Sequence, residues 1–250
     1  MNRPQLTPPF RWQGDHIAAE LPGARMLFSS RHGGVSPKPF DSLNLGRLTD
    51  DDGANIDANR ERLAEAVGLP RARFLYGRQV HGIRVRRATE PPGEARPSAD
   101  EDGQATALED AGALVFAADC LPIMLAAQDA VAALHGGWGG LAQGIVGEGV
   151  RALRELGATG EIRAAIGPCA RGCCYEVGEE RFAHFTRVPG ARVGERNLDL
   201  PAVARHDLAA AGVEEVHDLG VCTICRNDLF FSHRADGGVT GRQAGVVWRA

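Results

Sequence analysis

The sequence predicts one mixed domain of strands and helices, and not a doubly wound parallel sheet. Three observations carry this reading. Short apolar runs with the length of buried strands cluster mid-chain, and segments with helical spacing lie on both sides of them. The two kinds of signal do not alternate strictly, as a doubly wound fold requires. No internal repeat, low-complexity linker or composition shift divides the chain, so residues 1–250 are expected to form a single domain.

Taken in order, residues 25–30 (RMLFSS) read as a strand, and RHGGVSPKPFDSLNLG reads as a long loop because of its glycines and prolines. Residues 54–67 read as a helix: Ile56, Arg60, Leu63 and Val67 recur at helical spacing, and Gly68 and Pro70 stop it. Residues 73–76 and 79–87 read as strands, the second half-buried because Ile83 and Val85 alternate with Arg84 and Arg86. Residues 88–107, rich in Pro, Glu and Asp, read as a surface loop or insertion. The apolar runs 112–118, 121–127 and 130–134 suit buried strands, and the turn HGGWGG follows. A helix is expected over 141–156 despite two interior glycines, then a strand over 161–166 and helices over 176–186 and 199–211. Strands over 213–221 and 244–249 complete the chain.

Composition limits the function. The 250 residues are 44% hydrophobic and 24% charged, enough for a sizeable core. Twenty-eight basic against 32 acidic residues give a net charge of −4 and a pI near 6.1, which disfavours a nucleic-acid binder. No apolar run approaches the roughly 20 residues of a membrane helix. The first residues, MNRPQLTPPFRWQGDH, lack the apolar segment of a secretion signal, so a cytoplasmic location is expected. In that compartment six cysteines and eight histidines suggest thiols or metal ligands before disulfides.

Three of these residues end or interrupt apolar segments: His81 in QVHGIRV, Cys120 in FAADC and His135 in VAALHGG. Two imidazoles and a thiolate are good zinc ligands, and three protein ligands leave a fourth position open. Separations of 39 and 15 residues form no compact metal motif. From spacing alone, hydrogen-bonded core histidines and an inert buried cysteine are the first reading, and a shared metal site the second. HGGWGG precedes a helix, where backbone N–H groups can approach an anion, although a tight turn without a ligand has the same pattern. CTIC at 222–225 has CxxC spacing, and with Cys173 and Cys174 it would make a four-cysteine set. Adjacent cysteines rarely both ligate one ion, so free thiols are expected there. Arg31, His32 and Arg234 lie in or beside polar loops, and an arginine fork suits phosphate or carboxylate.

Seven stretches, in order, carry a resemblance: SSRHGGVS (29–36), SLNLG (42–46), QVHG (79–82), ADCLPIML (118–125), HGGWGGLAQGIV (135–146), IGPCARGCCYEVG (166–178) and CTICRNDLFFSHRADGGVTGRQAGVVW (222–248). Together they resemble the multicopper polyphenol oxidase, or laccase-domain, family. That family includes bacterial purine nucleoside phosphorylases with adenosine deaminase activity and the peptidoglycan editing factor. The resemblance implies an α+β fold, a β-rich core with helices packed outside. It implies that His81, Cys120 and His135 bind one zinc, with copper as the other metal considered.

The implied activity is phosphorolysis of adenosine, inosine, guanosine and methylthioadenosine, and deamination of adenosine. The small-molecule partners are then a nucleoside and phosphate. A zinc with an open position lowers the pKa of bound water to about 7, chemistry suited to attack at purine C6. Within this reading Gly136, Gly137, Gly139 and Gly140 are candidates to hold phosphate, and Arg31 and Arg234 to clamp an anion or ribose. Asn44, Gln79 and Tyr175 are candidate hydrogen-bond partners for sugar or base. Asp119, beside Cys120, is a candidate general acid or base, or a group that only orients the site.

One departure stands out. The family usually reads HAGWRG where this chain reads HGGWGG, so Gly139 replaces an arginine; loss of one charge-assisted contact is worth about 1.5–3 kcal/mol. Other readings of the same residues are peptidoglycan editing, copper-dependent phenol oxidation, a Cys120 hydrolase and a non-catalytic zinc-stabilised module. Phenol oxidation fits least, because several coppers need many histidines and no HxH pair occurs.

Overall fold

A computed structural model describes residues 3–91 and 99–250. Its elements, in chain order, are β1 (Arg11–Gln13), β2 (His16–Leu21), β3 (Ala24–Phe28), α1 (Gly53–Val67), β4 (Phe74–Leu75), β5 (Val85–Ala88), β6 (Gly103–Thr106), β7 (Gly112–Ala117), β8 (Leu121–Ala126), β9 (Val131–Gly136) and α2 (Trp138–Gln143). They continue with α3 (Ile145–Glu155), β10 (Arg163–Ile166), α4 (Glu179–Phe182), β11 (Arg192–Val193), β12 (Asn197–Leu198), α5 (Leu200–Ala210), β13 (Val216–Asp218) and β14 (Gln243–Arg249).

Two six-stranded sheets dominate. The first has the order β1-β2-β3-β14-β7-β4 and the second β13-β10-β8-β9-β6-β5. Antiparallel and parallel pairs are mixed in both: β14 runs antiparallel to β3 and β7, while β4 runs parallel to β7 and β5 parallel to β6. The sheets pack face to face through Met26, Phe28, Val115 and Val247 on one side and Met124, Ala133 and Ala165 on the other. Period-two alternation sends the other residues outward. Leu121, Ile123 and Leu125 of β8 meet Ile145 and Leu153 of α3 and Val203 and Leu208 of α5. Leu27, Leu114 and Val246 of the first sheet meet Leu63 and Val67 of α1. The result is a helix–sheet–sheet–helix stack, the mixed fold with a β-rich core and outer helices that the sequence implies.

Several elements differ from expectation. β1 and β2 lie in a stretch given no strand. Residues 103–106 were expected in a loop but form β6, fully buried and paired with β5 and β9. Its sequence, GQAT, carries none of the bulky β-branched pattern that marks a strand. The rest of the expected 88–107 insertion includes residues 92–98, which lie outside the described residues. The strand expected over 79–87 is a strand only at Val85–Ala88, because His81 takes φ 61° and breaks it. The helix expected over 141–156 is two helices, since Gly144 at φ 94° ends one and starts the next. The helix expected over 176–186 shrinks to Glu179–Phe182, and the strand over 213–221 to Val216–Asp218. No helix among the described residues is long and apolar enough to cross a membrane.

Candidate metal centre and cleft

The chain crosses between the two sheets repeatedly, and the crossings build one site. Residues 118–120 link β7 of the first sheet to β8 of the second, and 76–84 link β4 to β5. The first crossing delivers Cys120, the second delivers His81, and His135 comes from β9, paired with Pro122 of β8. The Nε2 of His81 lies 3.7 Å from the Cys120 sulfur, and donor atoms of all three residues lie within 4.8 Å of one another. A tetrahedral zinc with bonds of about 2.3 Å to sulfur and 2.0–2.1 Å to nitrogen needs an S···N separation of about 3.5 Å. The donor set therefore fits a tetrahedral metal, with three protein ligands and one side left for substrate or water.

Asp102, which the sequence reading did not single out, organises this triad. It is buried just ahead of β6 and accepts four hydrogen bonds on its carboxylate. The backbone N–H groups of Val80, His81 and Gly82 donate to it at 3.1, 2.9 and 2.8 Å. His135 Nδ1 donates at 2.9 Å, which turns Nε2 toward the other two ligands. Burial alone would raise the Asp102 pKa, but His135 and the Gly82 and Val80 N–H groups outweigh it and hold the carboxyl below its usual range. Burial also pushes the Cys120 thiol up, yet the neighbouring His135 and His81 bring it down to about 6. His135 moves the opposite way, to about 9, as the thiolate and Asp102 overcome its burial. The metal-free triad is thus biased toward a thiolate, the form that binds metal.

Among the described residues, the non-glycine positions with positive φ are His81 and Asp119, at 61° and 86°. Such backbone costs about 1–3 kcal/mol and persists only where neighbours fix it. Asp102 fixes His81. Asp119 is fixed by its own side chain: Oδ1 accepts from the Thr223 hydroxyl at 2.6 Å and Oδ2 from the Arg234 backbone N–H at 2.7 Å.

The triad opens into a cleft of about 630 Å³, within the usual range for small-molecule sites. Of the residues singled out from the sequence, Gln79, Asp119, Tyr175 and Arg234 line it beside His81, Cys120 and His135. Gln79 pairs both ends of its amide with the backbone of Phe116. Arg234 lies over the Tyr175 ring at 5.1 Å and donates to the Glu176 carbonyl. Arg31 and Asn44 are not among the lining residues. Arg31 donates to the Asp41 and Asn227 carbonyls, and buried Asn44 donates to Thr49 and Asp51 while accepting from Gly46 and Arg242.

The glycines of HGGWGG are not among the lining residues either, and Gly137, Gly139 and Gly140 lie tight against the metal-site loops. A Cβ on Gly137 would lie 2.5 Å from the His81 ring, one on Gly139 3.2 Å from the His81 carbonyl, and one on Gly140 2.9 Å from that of Gly82. They let α2 press against the His81 loop. Their sequence signal is the same for a phosphate turn and for close packing, so spacing could not separate the two.

The cleft holds residues that spacing gave no reason to choose. Arg60, Arg181 and Arg242 line it, as do Tyr76, Phe116 and Trp138. Arg242 donates to the Thr240 and Gly241 carbonyls and has no carboxylate partner among the described residues. Asp119 is the one carboxylate among the lining residues, so the cleft is basic although the chain is acidic overall.

Comparison with known proteins agrees with this architecture. Residues 25–250 match the family described as multi-copper polyphenol oxidoreductase laccase, and the chain belongs to that family. It is 40% identical to a purine nucleoside phosphorylase of Streptomyces coelicolor, over 90% of this chain and 96% of that one. It is 37% identical to a purine nucleoside phosphorylase of Corynebacterium glutamicum, over 90% and 94%. Among solved structures it superposes on YlmD from Geobacillus stearothermophilus with a TM-score of 0.89 and 33% identity, covering 96% of this chain and 98% of that one. The hypothetical protein YfiH of Bacillus licheniformis gives 0.90 at 28% identity, covering 97% and 99%.

Proposed function

We infer that this chain is a zinc-dependent purine nucleoside phosphorylase that also deaminates adenosine. One observation carries the reading: an open three-donor metal site and a set of arginines share a single aromatic-walled cleft. A purine nucleoside offers a flat base and a ribose, and phosphate offers concentrated negative charge. The cleft has a partner for each.

Phe116, Tyr76, Trp138 and Tyr175 give the cleft aromatic walls for the base, with Arg60, Arg181 and Arg234 stacked on them. Arg181, Arg234 and Arg242 bond to a hydroxyl and to carbonyls and have no carboxylate partner among the described residues, so their charge is available to phosphate. Holding phosphate there orients one of its oxygens toward the anomeric carbon of the ribose, where the bond to the base breaks. Gln79, spent on the Phe116 backbone, fixes the wall that carries the Phe116 ring. Asp119, with both oxygens engaged, positions Thr223 and the Arg234 backbone in place of shuttling a proton. Bound at His81, Cys120 and His135, zinc supplies a Lewis-acidic cation and a lowered water pKa, about 7, which suits deamination at purine C6. The relatives named purine nucleoside phosphorylase support the same activity.

Multicopper oxidation is disfavoured by the donors: among the described residues the groups able to hold a metal are this triad and a four-cysteine cluster, with two histidines between them. The test is a nucleoside panel assayed with and without phosphate on zinc-loaded protein. Phosphate-dependent release of hypoxanthine from inosine is expected. Fully loaded protein that releases none overturns the reading.

A further inference from the structure

Away from the cleft, the fold assembles the four cysteines expected to be free thiols. Cys173, Cys174, Cys222 and Cys225 bring their sulfurs within 4.8 Å of one another. The Cys225 sulfur lies 3.6 Å from that of Cys173 and 2.9 Å from that of Cys174. Tetrahedral zinc with bonds of about 2.3 Å to sulfur sets its ligands about 3.8 Å apart. The Cys173–Cys225 separation is close to that value, the Cys174–Cys225 one is shorter, and no pair exceeds 4.8 Å, so the four sulfurs are gathered closely enough to surround one ion. The objection from adjacency is answered by the turn at Cys173 and Cys174: both sulfurs reach Cys225 from the same loop.

The backbone around the cluster is built to hold it. The two loops are joined by hydrogen bonds, Thr223 N–H to the Cys169 carbonyl at 3.0 Å and Cys169 N–H to the Val221 carbonyl at 3.3 Å. The CTIC segment closes a turn in which Arg226 N–H donates to the Cys222 carbonyl at 3.0 Å. The backbone N–H groups of Cys225 and Arg171 point at the Cys222 sulfur. N–H donors aimed at a sulfur stabilise a thiolate, and a thiolate is what a metal binds.

We propose that Cys173, Cys174, Cys222 and Cys225 form a second, closed zinc site that is structural. Four sulfur donors leave no open position, so this ion binds no substrate. Zn²⁺ displaces thiol protons and forms four Zn–S bonds, with no change of oxidation state. The site clips together two loops that are 51 residues apart in sequence at Cys174 and Cys225. Each loop feeds the cleft: Tyr175 follows Cys174, and Thr223, which follows Cys222, holds Asp119 beside Cys120. The inference rests on sulfur geometry and stands apart from the phosphorylase reading.

The test uses the full chain, loaded with zinc under reducing conditions and freed of excess metal. Two zincs per chain are expected. The Cys222→Ser/Cys225→Ser variant is expected to lose one of them and His81→Ala the other, so the two sites report separately. Alkylation of the native wild-type protein, mapped by mass spectrometry, removes any dependence on how the variants fold. Cys173, Cys174, Cys222 and Cys225 should react only once a chelator is added. Prompt alkylation of the zinc-loaded protein without chelator overturns the proposal, and so does protection lifted by a reductant instead, which would mean a disulfide.

Discussion

Asp102 and His135 form the hinge of the candidate metal centre: His135 Nδ1 lies 2.9 Å from Asp102 Oδ1, and the His135 backbone N–H donates to the Asp102 carbonyl at 2.7 Å. The same carboxylate gathers three consecutive N–H groups of the His81 loop. One buried side chain therefore sets the ring of one ligand and the backbone of another. Asp102→Asn keeps the size but replaces a four-fold acceptor with an amide that must turn N–H groups against N–H groups. Zinc affinity is expected to fall about 10- to 100-fold, the usual effect of removing a ligand's supporting partner. Competition against a chromogenic chelator measures it.

Gly137 is a steric gate for His81. The alanine methyl in Gly137→Ala would sit 2.5 Å from His81 Cδ2 and 3.4 Å from the Cys120 sulfur. The ring must move or α2 must back away, and overpacking of this kind costs about 1–3 kcal/mol. Thermal unfolding should show that loss, and zinc content should drop while the four-cysteine cluster keeps its metal.

Arg242 carries a charge that no carboxylate among the described residues takes up. Arg242→Ala should lower kcat/KM for phosphate about 10- to 100-fold, matching about 1.5–3 kcal/mol for one charge-assisted hydrogen bond. Inosine binding without phosphate should change much less. Equal losses for both substrates would place the arginine against the nucleoside instead.

Arg171 and Asp218 make a bidentate pair at 2.8 Å on both oxygens, holding the start of the loop that bears Cys173 and Cys174. Burial raises the Asp218 pKa, but Arg171, the Gly220 N–H and Arg205 together more than offset it, so the folded value lies below the ordinary one. A depressed carboxyl pKa adds stability that is complete above the unfolded value, about 3.9, and is lost as pH falls through the folded value. Asp218→Asn should therefore cost about 1–3 kcal/mol near neutrality, the range for stranding one partner of a partly buried pair. Denaturant titrations across pH should show wild type and variant converging only in acid below about pH 4.

Much of this was legible in the sequence. The triad His81, Cys120 and His135 stood out because each interrupts an apolar run, and the strands over 112–134 were plain from their composition. The parts that were missed share a cause. Asp102 lies beside β6, whose four residues carry no strand pattern and whose burial comes from β5 and β9 on either side. Arg60 reads as one position of an amphipathic helix, and only the tertiary fold turns it under Tyr76 and Phe116. Arg31 and Asn44 sit in motif segments, but their side chains are consumed by loop backbone and neighbouring polar groups. Adjacency of Cys173 and Cys174 in sequence hides how a turn brings both sulfurs to Cys225.

The most direct test joins metal to activity. Protein stripped of zinc by a chelator should lose phosphate-dependent release of hypoxanthine from inosine, and regain it as zinc refills His81, Cys120 and His135. His81→Ala should fail to regain it while still folding. Undiminished phosphorolysis by the stripped protein, or by His81→Ala, would contradict a zinc-dependent phosphorylase.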